Sequence, residues 1–159
     1  MPARDLKGQL KLSGDAFDDY GDGEVVTITG QIVFTSPLTA TPKCRFRIIG
    51  QMVVPESSER MLVPAIMKMT GQMVCYPDGV MPRIVLGKES FSQAFLDAMR
   101  EKELLINLGQ ACFTPEVQGQ SLMDKIHSII NLGKIRCGKS LHPFVQVLCR
   151  DNLGVIEAE

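Results

Sequence analysis

The sequence predicts an α+β fold, an antiparallel β-meander sheet of about five to seven strands covered on one face by two α-helices. Three observations carry this expectation. A Gly-Gln dipeptide followed by a short, mostly apolar run recurs at Gly8, Gly30, Gly50, Gly71 and Gly109. The first four copies lie in stretches of alternating polarity, the period-two signature of a half-buried strand. Gly30, Gly50 and Gly71 are spaced by 20 and then 21 residues, read here as a strand plus a turn, so consecutive strands are expected to pair locally. Helical periodicity begins only after Gly87.

The first strand is expected over residues 6–12, with Leu6, Gly8, Leu10 and Leu12 on one face. Residues 13–24 hold five acids and three glycines, an exposed acidic loop. Its acids do not follow the EF-hand spacing, which weighs against a calcium site at Asp15–Glu24. Residues 25–35 are the clearest strand, with Val26, Ile28, Gly30, Ile32 and Phe34 facing in. Residues 43–54 repeat the pattern, with Cys44, Phe46, Ile48, Gly50, Met52 and Val54 inward and Lys43, Arg45, Arg47 and Gln51 outward. Residues 55–60 read as a turn. Residues 65–76 place Met67, Met69, Gly71, Met73 and Cys75 inward, and Lys68, Thr70, Gln72 and Tyr76 outward. On this reading the glycines give room beneath the covering helices. Residues 80–86, interrupted by Pro82, form a short edge strand.

A first helix is expected over 90–102, with Ser90 and Gln93 as a capping box and Phe91, Phe95 and Met99 as the apolar stripe. Residues 104–113 read as a buried strand broken at Gly109. A second helix is expected over 121–132, capped by Ser121, with Leu122, Ile126, Ile129 and Ile130 buried and Gly133 ending it. Residues 144–149 read as a last strand. Residues 151–159 are an acidic tail, of which 153–156 would pack.

The chain has the length of a single domain, 1–159, and 45% hydrophobic against 22% charged residues is ordinary for a globular protein. Seventeen basic residues balance eighteen acidic ones, so net charge selects neither nucleic acid nor membrane. No apolar run approaches a membrane span of about 18 residues, and the N-terminus has no signal-peptide core. Cys44, Cys75, Cys112, Cys137 and Cys149 are odd in number and contain no Cys-x-x-Cys pair, which predicts reduced thiols in an intracellular compartment.

Gly133–Ser140 matches G-x-x-x-x-G-K-[ST]. A nucleotide-binding P-loop needs a strand before and a helix after. Here a helical pattern precedes it, and Pro143 is expected to obstruct a following helix. A simpler anion or phosphate-backbone contact by Lys134, Arg136 and Lys139 is the stronger reading. A Cys137–His142 nucleophile pair lacks an orienting residue. His127 belongs to a flank or a solvent face. The outer strand face collects Lys43, Arg45, Arg47 and Lys68 with Gln51 and Gln72, but only Tyr76 as an aromatic, so phosphate contact fits better than base stacking. Six of the nine methionines fall between Met52 and Met81, read chiefly as core.

With no catalytic constellation, cofactor motif or metal-ligand spacing, the expected function is non-enzymatic. The expected role is a self-associating interaction or assembly module, of the kind a viral matrix or coat protein supplies. The acidic loop of one copy would meet the basic C-terminal segment of the next. The alternative is nucleic-acid binding through that segment and the basic sheet face. Less favoured is a P-loop-like enzyme using Lys139 and Ser140.

Overall fold

The computed structural model describes residues 3–159. It overturns the antiparallel meander. Every strand pair is parallel, and the strands form three sheets of four, with four short helices. The chain divides into two compact units, up to Val80 and from Met81 onward.

In the first unit β1 (Ala3–Leu12), β2 (Val25–Phe34), β3 (Arg45–Pro55) and β4 (Ile66–Tyr76) lie side by side in sequence order. The physical reason is the length of the returns. Segments 13–24, 35–44 and 56–65 each run ten or twelve residues. A hairpin needs only about two to five, whereas a parallel strand needs a crossover of roughly this length. The 20-residue spacing is therefore one coil, and each Gly-Gln lies directly over the one before. Gly8, Gly30, Gly50 and Gly71 share one line across the sheet, and Gln9, Gln31, Gln51 and Gln72 share the next.

The glycines do not make room for helices. Each strand bends there, at φ of +105° for Gly8, +128° for Gly30, +137° for Gly50 and +140° for Gly71. L side chains rarely adopt this conformation. Before and after the bend the inward residues are those the alternation selects: Val26, Ile28, Ile32 and Phe34 on β2, and Phe46, Ile48, Met52 and Val54 on β3. Phe17 and Leu38 from the returns, with Leu62 of α1 (Glu56–Leu62), close this core. Met67 departs from the expectation. Phe46 pairs with Ile66 but Arg47 pairs with Lys68, so Met67 is the extra residue of a bulge and is 48% exposed. Met69 and Met73 do pack against the core.

The second unit keeps the coil but breaks each bent strand in two. β5 (Pro82–Val85), β7 (Glu103–Asn107), β9 (Ile126–Asn131) and β11 (Cys149–Asn152) form one sheet. β6 (Lys88–Phe91), β8 (Gln110–Phe113), β10 (Lys134–Cys137) and β12 (Val155–Ala158) form the other. Gly87, Gly109, Gly133 and Gly154 stand at the four breaks. Between coils the chain returns through α2 (Gln93–Ala98), α3 (Gly119–Lys125) and α4 (His142–Leu148). Leu96, Leu122 and Val145 of these helices bury against Leu105, Ile129, Ala111 and Ile135 of the two sheets.

Both expected helices are shorter than their stripes. Ser92, not Ser90, caps α2, its hydroxyl accepting from the Phe95 amide at 3.1 Å. Ser90 and Phe91 belong to β6. In the second stripe, α3 ends at Lys125 and residues 126–131 are extended. Ile126, Ile129 and Ile130 are β-branched and suit a strand. The expected last strand at 144–149 is mostly helix α4. Pro143 sits in its first turn, where its missing N–H leaves no bond unmade. The acidic tail supplies the end of β11 and all of β12.

Candidate functional site

Asparagine orders the inner corner of the second unit. Asn107, Asn131 and Asn152 share one register line, each two residues before a break glycine. Asn107 Nδ2 donates to Asn131 Oδ1 at 2.9 Å, and Asn131 Nδ2 to Asn152 Oδ1 at 2.9 Å. The same oxygens take the Gly133 and Gly154 amides at 3.2 Å. Asn107 and Asn131 are fully buried. Val85 holds this line in the first coil, and Asn107 Oδ1 consequently has no donor. The sequence carries a signal for the ladder in a repeated Asn-Leu-Gly at 107–109, 131–133 and 152–154.

This ladder runs through the P-loop-like segment. The Gly133 amide donates to Asn107 O at 3.1 Å and the Lys134 amide to Gly109 O at 2.9 Å. Residues 134–137 are a strand paired on both sides, to β8 and β12. The first half of the segment is thus committed to sheet bonds, and its backbone is extended rather than curled into a phosphate cradle. Lys134 Nζ lies 2.6 Å from Glu157, whose carboxyl that lysine draws below its usual range. Arg136 pairs with Glu159. Lys139 stays exposed in the turn before α4. Cys137 points into the core, where burial pushes its thiol up, the reverse of an activated nucleophile. His142 opens α4, and His127 is exposed on β9, its ring Nδ1 3.1 Å from Ser128 Oγ.

The acidic loop aims its carboxylates at separate partners. Glu24 turns inward, accepting from Arg4 at 2.5 Å and from the Gly21 amide at 3.0 Å. Asp18 accepts from Thr39 at 2.7 Å and Asp15 from Ser13. Among the described residues no three potential metal ligands converge.

On the outer face of the first sheet, register lines up Asp5, Thr27, Arg47 and Lys68, and beside them Lys7, Thr29, Ile49 and Thr70. Glutamines border these rows: Gln9 Nε2 donates to Gln31 at 3.2 Å and Gln31 Nε2 to Gln51 at 2.8 Å. A groove of about 550 Å³ runs between Thr27, Arg47, Ile49, Met67, Lys68 and Thr70. No carboxylate among the described residues pairs with Arg45, Arg47 or Lys68. Lys43 lies just before β3, exposed in the return. The structure thus brings Arg45, Arg47 and Lys68 onto one face. Lys134 and Arg136 are neutralised in the second unit. Tyr76 is not on that face. It is 2% exposed, its hydroxyl donates to Phe34 O, and burial with the Asp78 charge pushes its pKa up to about 12.

The outer strands carry a further asymmetry. A Cβ on Gly30, Gly50 or Gly71 would meet the carbonyl oxygen of the preceding glycine at 2.2, 1.8 and 1.6 Å. Gly133 and Gly154 are closed in the same way, by Gly109 O and Gly133 O. At Gly8 a Cβ would meet nothing within 4 Å. Leu6, Leu10 and Leu12 continue the core lines onto β1 and are only partly buried. On β12, Val155 is 58% exposed.

Comparison with protein-family models, with curated proteins and with solved structures gives no match for this chain.

Proposed function

We propose that the chain is a non-enzymatic assembly module whose copies stack head to tail, β1 of one copy on the last coil of another. One observation carries the reading: the two strand paths have the same length and the same glycine position, Gly8 at positive φ within one strand and Gly154 at the break between two. Ala3–Leu12 spans ten residues with Gly8 sixth, and Cys149–Ala158 spans ten with Gly154 sixth. Superposing the two glycines sets Gly8 over Gly154, Leu10 over Ile156 and Gln9 over Val155. Gly154 O then faces the open side of Gly8, repeating the contact that joins successive coils inside each unit. Leu10 meets Ile156, which packs on the core of the second unit.

The physical drive is that of any unpaired parallel edge. Outer backbone groups gain partners, and partly exposed apolar lines become continuous. A head-to-tail contact of this kind does not close on itself, so it builds a filament rather than a ring unless the rotation per copy closes. Main-chain bonds and the Leu10–Ile156 and Leu12–Ala158 contacts carry it, and Lys11 over Glu157 adds a pair that salt weakens, so association falls only in part at high salt.

Light scattering over a dilution series tests this. The reading expects mass to rise with concentration, and Val155→Glu, which puts a charge on the contact, to shift the rise to higher concentration. A wild-type monomer at every concentration would overturn it.

A further inference from the structure

We infer that the groove on the outer face of β3 and β4 receives the acidic loop, residues 13–24, of a second copy, joining copies side to side. This rests on the reading that the chain self-associates, and it names a second contact for it. Four cations and one acid, Lys7, Arg45, Arg47, Lys68 and Asp5, mark the face, and Arg47 and Lys68 sit on adjacent strands about 4.8 Å apart. Neither has an ion-pair partner within the chain among the described residues. The complement is on the same molecule. Asp15, Asp18, Asp19 and Asp22 are exposed on a loop whose Phe17 is anchored in the core, its ring 4.9 Å from that of Phe46. The loop is therefore held as a presented surface.

Two features favour a protein segment over a nucleic-acid strand. The groove wall includes Ile49, 52% exposed, and Met67, 48% exposed, apolar surface of no use to a phosphate backbone. Among the groove-lining residues none is aromatic, so bases have nothing to stack on. The structure also moves the basic partner from where the sequence places it, since Lys134 and Arg136 already hold Glu157 and Glu159.

The test is a charge swap made in the Val155→Glu background, so that stacking through the strand edges is weakened separately. One variant carries Arg47→Glu and Lys68→Glu, the other Asp19→Lys and Asp22→Lys. Each alone is expected to lose the low-salt association by on the order of tenfold or more, and an equimolar mixture to regain it, because each reversed surface meets its new complement. The regained association disappears at high salt. The inference fails if either variant associates like its parent, or if the mixture stays dissociated. It also fails if the wild-type face binds a twenty-nucleotide oligothymidine with a steep salt dependence that Arg47→Glu and Lys68→Glu abolish, which would make it a nucleic-acid surface. Loss of all association on Val155→Glu alone would leave the stacking reading standing and remove this one. A charge swap that works while Val155→Glu changes nothing would do the opposite.

Discussion

The carbonyl oxygen of Gly50 lies 1.6 Å from where a Cβ on Gly71 would stand. No side-chain movement relieves that overlap, because the obstructing atom is backbone. In the first unit the close approach coincides with a bend, at φ +140° for Gly71, that is open to glycine, whereas Gly133 and Gly154 make the same approach without a positive φ.

Gly50→Ala and Gly71→Ala are each expected to destabilise the first unit by about 3 kcal/mol or more, adding backbone strain to overpacking. Gly8→Ala faces only the strain, about 1–2 kcal/mol, because its Cβ would meet open space. Urea unfolding of the three variants measures this. Equal losses at Gly8 and Gly71 would show that stacking of the glycines is not what the structure demands.

Asn131→Val keeps the shape but removes two donated and two accepted hydrogen bonds from the buried corner. Asn152 Oδ1 keeps only the Gly154 amide, Val155 O loses the contact from Asn131 Nδ2 at 3.2 Å, and Asn107 Nδ2 and the Gly133 amide lose Asn131 Oδ1. The expected cost is about 2–3 kcal/mol, the range for stranding buried polar groups. Val85→Asn extends the ladder by one coil and offers Asn107 Oδ1 a donor, so it should be neutral or stabilising by thermal unfolding. A large loss at Val85→Asn with none at Asn131→Val would refute the ladder.

Alkaline unfolding follows from Tyr76. Its folded pKa is about 12 and the free phenol titrates near 10. The folded state therefore holds the proton that the unfolded state has released. The contribution is complete below about pH 10 and is lost as pH rises toward 12. Cys149, pushed up to about 11 by burial, adds a decline that begins lower. Tyr76→Phe should flatten the upper part of the stability–pH curve and leave the Cys149 part. An unchanged curve would mean the phenol is not shielded.

Much of this architecture was legible in particular residues. The alternation selects the inward residues of β2 and β3 but not Val33 and Val53, which are fully buried on the other face, and the break at Gly109 is where the buried run divides. What was not legible is the direction of pairing. Alternation is identical in parallel and antiparallel strands, and only the return lengths distinguish them. Ile126, Ile129 and Ile130 misled because their spacing suits a helix stripe while their β-branching suits a strand. Of the basic residues, sequence spacing could not separate Arg47 and Lys68, which register sets side by side, from Lys134 and Arg136, whose partners Glu157 and Glu159 arrive on a strand that the composition disguised as a tail. The Asn-Leu-Gly repeat at 107–109, 131–133 and 152–154 has no counterpart before Gly8, Gly30, Gly50 or Gly71, and only Gly109 of its glycines is followed by Gln, so the Gly-Gln spacing carries no trace of it.

The head-to-tail stack is tested most directly by a disulfide between copies. Gly8 over Gly154 places Gln9 over Val155, both on the outer face of neighbouring parallel strands, at a Cα separation of about 4.8 Å that lies within disulfide range. A chain carrying both Gln9→Cys and Val155→Cys, oxidised and run without reductant, is expected to give a ladder of covalent dimers, trimers and longer species. The single variants are expected to give none. Double-variant chains that remain monomeric under the same oxidation, or single variants that form the same ladder, would contradict the stack.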